Sequence, residues 1–289
     1  MRISETCAGD GPVFSFEFFP PKTEKGARNL LATVADLEDA LAPDFVSVTC
    51  GAGGSTRERT LECVTSIQAE LGITSMAHLT CAGVSADDLR DDMRLLLSSG
   101  IENILALRGD PPAESEGFQL TSGGFSHGSE LVEFLEDNYD VDVGAACYPE
   151  KHVESASGEE DLRWTKHKVA CGARFLITQL FFDNRFYFEF VERARAAGIG
   201  VPIIPGIMPI TNVAQIERFT KMCGASIPPE LRERLDRCGT DDGVVMATGI
   251  EQAIKQCRDL LERGAPGLHF YTLNRSHATR SVLAAVRAI

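Results

Sequence analysis

Short apolar runs alternate with amphipathic stretches along this chain of 289 residues, and that alternation most narrows the fold. The runs are the segment from Val13 that stops at Pro20-Pro21, then Phe45–Thr49, Thr74–Leu79, Asn103–Leu107, Val141–Ala146, Phe175–Leu180, Pro202–Ile207 and Gly267–Tyr271. Between them, Gly26 to Leu41 carries Leu30, Leu31, Val34, Leu37 and Leu41 at helical spacing. Comparable patterns cover Thr56–Leu71, Ser85–Ser99, Ser129–Asn138, Glu159–Cys171, Asn184–Ala197, Thr211–Cys223, Gly243–Gly264 and Asn274 to the end. Ser85 with Asp88 three residues on is a capping-box-like start. Short strands apolar on both faces and separated by helices imply a parallel sheet. Eight such units in a chain of this size predict an α/β fold, a closed (β/α)₈ TIM barrel in a single domain over 1–289. An open doubly wound sheet would want a glycine fingerprint after the first strand, and Pro20-Pro21 stands there instead.

A net charge of -14 argues against nucleic acid or an anionic membrane surface as partner. No apolar run approaches the roughly 20 residues of a spanning helix, and no signal peptide is visible. Nine cysteines are scattered without a C-x-x-C pair, which predicts buried reduced thiols in a cytoplasmic protein and no metal site.

In a barrel of this kind chemistry gathers at the carboxyl ends of the strands. Those ends supply Glu17, Thr49, His78, Asp110, Tyr148, Gln179 and Tyr271, with Asn274 and Arg275 just beyond. In the first strand, Phe14, Phe16 and Phe18 fall on one face and Ser15 and Glu17 on the other. Glu17 is either a solvated end charge or a carboxyl with a displaced pKa that works as an acid. Glu17 and Asp110, on strands one and four of a ring, would face each other across the mouth as acid and anion. The loop Gly51-Ala52-Gly53-Gly54-Ser55-Thr56 meets neither the dinucleotide nor the Walker signature and reads as a turn beside the mouth. Asp161, Trp164 and Lys168 share one helical face, where carboxylate, ring and cation suit a ribose, an aromatic ring and a phosphate. An amphipathic surface helix with Trp164 dipping into the core would look the same. Gln215 and Phe219 form an i, i+4 pair that could hold a flat heterocycle, although Phe219 also suits a core.

Seven stretches in register resemble the methylenetetrahydrofolate reductases: Phe16–Pro21, Val46–Thr49, Ala77–Cys81, Leu107–Asp110, Tyr148–Glu150, Ile177–Gln179 and His269–Arg275. The resemblance implies a barrel that binds FAD and reduces 5,10-methylenetetrahydrofolate to 5-methyltetrahydrofolate with NADH or NADPH, by ping-pong hydride transfer. It implies Glu17 as the general acid and Asp110 as the residue that contacts the pterin and tunes the flavin. Gln179, Gln215, Phe219, Tyr271 and Arg275 then match substrate positions, Arg275 meeting the glutamate carboxylate of the folate. Thr49, His78, Arg108, Gly109, Asp110, Tyr148, His152, Asp161 and Lys168 match positions lining FAD. Trp164 stands with them on the same helix, but it and His167 depart from the polar, sometimes basic, groups of better-known relatives. Phe125 stands loosely where a Tyr contacts the flavin. The resemblance further implies a homo-oligomer without the appended regulatory domain of eukaryotic members. Two alternatives stay open: direct hydride transfer from nicotinamide without flavin, and a flavin- or folate-binding subunit that needs a partner protein.

Overall fold

Every expected apolar run is a strand in the computed structural model, which describes residues 1–51, 56–110, 121–274 and 276–288. The strands are β1 (Val13–Phe18), β2 (Phe45–Val48), β3 (Ser75–Thr80), β4 (Asn103–Leu107), β5 (Asp142–Cys147), β6 (Phe175–Thr178), β7 (Ile203–Ile204), β8 (Gly206–Ile207) and β9 (Gly267–Tyr271). All pair in parallel, in the order β7-β6-β5-β4-β3-β2-β1-β9-β8. The seventh run is split because Pro205 has no N–H to give a ladder. Its two halves face opposite ways round the ring: β7 pairs with β6, and β8 pairs with β9. The Pro205 carbonyl still accepts from His269 N at 2.9 Å, and Gly206 N donates to Thr178 Oγ1 at 2.9 Å. The broken strand therefore closes the barrel, and the fold is the (β/α)₈ type that the alternation predicts.

The helices are α1 (Ile3–Cys7), α2 (Glu24–Leu41), α3 (Arg57–Leu71), α4 (Ala86–Ser98), α5 (Gly128–Asn138), α6 (Gly158–Ala170), α7 (Asn184–Ala196), α8 (Val213–Cys223), α9 (Pro229–Arg237), α10 (Asp242–Glu262) and α11 (Ser276–Arg287). Ser85 caps α4 as expected: its Oγ accepts from Asp88 N while Asp88 Oδ2 accepts from Ser85 N. Two helices escaped the sequence reading. The α9 helix begins at Pro229, whose missing N–H costs nothing at a first helical position, in a stretch that Pro228-Pro229 makes look like a loop. The α1 helix is only five residues long, too short for a periodicity to show. No helix among the described residues is long and apolar enough to cross a membrane.

Period-two alternation sorts the strand residues into two cores. Phe14, Phe16 and Phe18 join the shell between strands and helices, with Leu30, Val34 and Leu37 of α2. Inside the ring lie Val13, Phe45, Met76, Leu105, Phe175, Ile177 and Ile204, together with Ile3. Gly144 of β5 belongs here by necessity, since the Phe175 ring lies within 2.3 Å of where its Cβ would stand. Towards the amino end this inner core is plugged by α1. Ile3 is fully buried, its N–H donates to Asn103 Oδ1 at 3.0 Å, and Ser4 N donates to Asp142 Oδ2 at 2.7 Å. Both are orphan donors of a helix start, satisfied by barrel side chains. Removing the acceptor leaves a part-buried N–H unpaired, so Asp142→Ala is expected to lower the unfolding free energy by about 1 kcal/mol. Urea denaturation would show it as a lower midpoint at constant slope; an unchanged midpoint would mean that the plug contributes nothing.

Candidate functional site

The inward face of β1 is Val13, Ser15 and Glu17, and its last member emerges at the carboxyl mouth of the barrel. Glu17 is not a solvated end charge. Its residue is 8% exposed, and its Oε2 lies 3.2 Å from His269 Nε2 and 3.5 Å from His78 Nε2. His269 makes a hydrogen bond there. His78 does not: its Nε2 is buried and has no hydrogen-bond partner, although its distance to Glu17 is that of an ion pair. Ser47 Oγ on β2 is buried without a partner as well. An inner polar layer of Ser15, Glu17, Ser47, His78 and His269 thus sits just beneath the mouth.

The turn above Glu17 is held by the far end of the chain. Thr272 Oγ1 donates to the Glu17 carbonyl at 2.7 Å, and Asn274 both accepts from Phe19 N and donates to Phe19 O at 2.8 Å. Leu273 and Asn274 adopt φ of 52° and 57°, left-handed values that asparagine takes more readily than most residues and leucine only under constraint. Tyr271 donates its hydroxyl proton to the Thr178 carbonyl at 2.6 Å, and burial raises its pKa well above the ordinary range. Gly206 permits this approach, because a Cβ there would meet the Tyr271 ring at 2.6 Å.

Around the mouth, Gln179 follows β6 and its Oε1 accepts from Leu180 N. Gln215 and Phe219 are half-buried on α8. Phe219 and Tyr271 pack against one satellite cluster that includes Leu180, Met208 and Ile216, as the core reading of Phe219 expects. Asp110 ends the β4 strand's exit as an exposed residue close enough to Arg108 and Tyr148 to influence both. Gly109 beside it has φ of 82°, and a Cβ would press on Thr80 at 2.9 Å. Arg275 and residues 52–55 of the glycine loop lie outside the described residues. Phe125 packs on Phe134 with centroids 5.3 Å apart, as part of the shell.

A cleft of about 820 Å³, its solvent-facing side included, opens between the ends of β4 and β5 and helices α5 and α6. Arg108, Tyr148, His152, Asp161, Trp164 and Lys168 all line it, so six of the expected ligand residues converge there. Thr49 and His78 are buried at the adjoining strand ends instead. Trp164 does not dip into the core: it is 41% exposed and stacks on His127 at 4.7 Å. Lys168 donates to the Ala146 carbonyl, and burial lowers its pKa against the opposing pull of Cys147 and Asp161. Burial raises the Asp161 pKa, while Lys168 lowers it. Arg108 forms a two-point ion pair with Glu154 at 2.6 and 2.9 Å, which holds the Glu154 carboxyl below the usual range. Sequence reasoning missed His269, Ser15, His127 and Glu154. The first two carried a signal, the inward period of β1 and β9; the other two stand on loops.

Residues 2–287 match the family model described as methylenetetrahydrofolate reductase. A rice protein (Oryza sativa subsp. japonica) called probable methylenetetrahydrofolate reductase (NADH) is 38% identical over 293 residues, covering 98% of this chain and 49% of its own length. The 5,10-methylenetetrahydrofolate reductase of Escherichia coli K12 is 37% identical over 268 residues, 93% of this chain and 88% of that protein. The chain therefore spans about half the length of its plant relative and most of the bacterial one. A Clostridium thermocellum protein described as binding two copies of 5-methyl-5,6,7,8-tetrahydrofolic acid superposes over 100% of this chain and 99% of its own with a TM-score of 0.64. At 16% identity that likeness concerns the fold alone.

Burial drives the His78 pKa from 6.5 down to about 4, outweighing the attraction of Glu17. The native ring is then neutral where the unfolded one binds a proton, so stability falls as pH drops from about 6.5 to about 4. The loss attributable to this ring is about 3 kcal/mol across that window. His78→Gln is expected to flatten the acid side of the stability profile, measured by denaturant midpoints at successive pH values. An equally steep profile would show that the ring is not held neutral.

Proposed function

The chain belongs to the methylenetetrahydrofolate reductase family, and on that premise we propose that it reduces 5,10-methylenetetrahydrofolate to 5-methyltetrahydrofolate, with NADH or NADPH as electron donor and FAD as the bound carrier. The observation that carries this reading is Glu17, a carboxyl buried at the barrel mouth and hydrogen-bonded to an imidazole, on the strand end where an acid is needed. The substrate's methylene carbon bridges two nitrogens and resists hydride. Glu17 gives its proton to one of them; that C–N bond breaks, and the carbon becomes an electrophilic iminium that takes the hydride. His269 stabilises the carboxylate left behind. Gln179 and Asp110 would hold the pterin, Phe219, Tyr271 and Gln215 would wall the pocket, and the Arg275 guanidinium would meet the glutamate tail.

The residues of the cleft fit FAD. Its donor set combines an aromatic surface at Trp164 and His127, two cations at Arg108 and Lys168, and a buried carboxylate at Asp161 for a ribose. The partnerless Nε2 of His78 next to the acid is the kind of buried polar atom that a bound ring system satisfies. When bound, FAD would accept a hydride from the nicotinamide and pass it to the folate. Arg108 and Lys168 would neutralise the pyrophosphate, Tyr148 and His152 would pack on the cofactor, and Thr49, His78, Gly109 and Asp110 would line its reactive end.

Trp164 is the chain's one tryptophan and lines the cleft, so its emission is expected to be quenched when FAD is titrated in, more weakly in Lys168→Met. No quenching, and a colourless protein, would favour hydride transfer straight from nicotinamide. Glu17→Gln is expected to keep flavin reduction by nicotinamide while losing folate reduction by about 10²–10⁴-fold, since only the second half-reaction needs a proton donor. Stopped-flow absorbance of each half-reaction decides this; equal losses in both would refute the acid role.

A further inference from the structure

Glu17 does not hold its own position. His269 is fully buried in the middle of β9, with its ring stacked on Phe45 at 6.1 Å between centroids and meeting Tyr271 edge-on at 5.5 Å. That packing fixes the ring plane. Its Nδ1 lies 2.8 Å from Ser15 Oγ, and its Nε2 lies 3.2 Å from Glu17 Oε2. A neutral imidazole carries one N–H and one lone pair, a carboxylate can only accept, and a hydroxyl can do either. With the ring neutral and Glu17 ionised, one assignment satisfies all three groups: Ser15 donates to Nδ1, which leaves the proton on Nε2, and Nε2–H donates to Glu17.

We infer that Ser15 and His269 form a positioning relay for the acid. Ser15 selects the tautomer, and His269 clamps Oε2 so that Oε1 is the oxygen that carries and delivers the proton. The same N–H donates to Oε2 in both states of the carboxyl, and its bond strengthens as charge develops there, which favours proton release without moving any atom far. No other titratable group facing Glu17 among the described residues substitutes for it. From β3, His78 comes within 3.5 Å without a hydrogen bond; from β9, Tyr271 has committed its proton to Thr178. The relay deepens the proposed reaction, and the kinetic half of its test rests on that reading.

Three variants test it. His269→Asn removes the N–H that reaches Oε2, His269→Gln restores an amide N–H near that point, and Ser15→Ala leaves the ring in place but frees its tautomer. The first readout is the protonated Glu17 carboxyl stretch, identified by its disappearance in Glu17→Gln and titrated by infrared difference spectroscopy. Losing a charge-assisted donor is expected to move that titration up by about one pH unit in His269→Asn, and by less in Ser15→Ala. The second readout is the pair of half-reactions in the flavin-loaded protein. In His269→Asn, folate reduction is expected to slow about 10–100-fold while flavin reduction by nicotinamide stays within about twofold, and His269→Gln is expected to recover most of the loss. An unmoved titration in both His269→Asn and Ser15→Ala would overturn the relay, as would equal slowing of both half-reactions without rescue by His269→Gln. A titration that moves as expected in a protein that never reduces the folate would uphold the relay and sink the substrate reading instead.

Discussion

The parallel register of β1 against β9 is the constraint on which the site depends. Ser15 is paired with His269, and Glu17 with Tyr271. Because side chains alternate at period two, this register puts Ser15, Glu17, His269 and Tyr271 on the inward face together. It also sends Phe14, Phe16 and Phe18 out to the helices. A slip of one residue would reverse every one of these and place three phenylalanines in the lumen and the acid against a helix. The apolar shell and the polar layer therefore specify each other. Burying the phenylalanines and bringing Glu17 to His269 are one event.

Much of this was legible from residue order. Runs of β-branched and aromatic residues, bounded by glycine and proline, marked the strands because burial on both faces keeps most of their positions apolar. The strand-end rule then pointed to Glu17 without any knowledge of its neighbours, and the helical spacing of Asp161, Trp164 and Lys168 located one wall of the cleft. What failed to show has identifiable causes. The α1 plug is too short for periodicity, and its worth lies in contacts with Asn103 and Asp142, about 100 and 138 positions away. Strand seven looked continuous because Pro205 breaks the ladder without breaking the extended path of the backbone. The importance of His269 could have been inferred from its place two residues before Tyr271 on an inward face. Its bond to Ser15 depends on a register that no local pattern reveals. His127 and Glu154 reach the cleft from loops, where spacing carries no geometric meaning.

Electrostatically the cleft is a mixed environment rather than a basic one. Arg108 is engaged by Glu154, Lys168 is buried beside Asp161, and an imidazole–indole stack forms the outer wall. In a chain with a net charge of -14, an anion is not drawn in by the overall field. It has to be recognised by a few local donors, whose strength comes from burial. Affinity in such a site responds to single side chains more than to ionic strength.

Glu17 and the imidazole it meets are 252 positions apart in the chain. During synthesis on a ribosome, β1 is the first of these strands to emerge and waits with one edge unpaired until β9, the last of them, arrives. Loop closure over that separation is slow, and it leaves an open sheet edge exposed in the meantime. Nothing shorter than the stretch from β1 through β9 can assemble the setting of Glu17, so the arrival of β9 is the step that completes the layer.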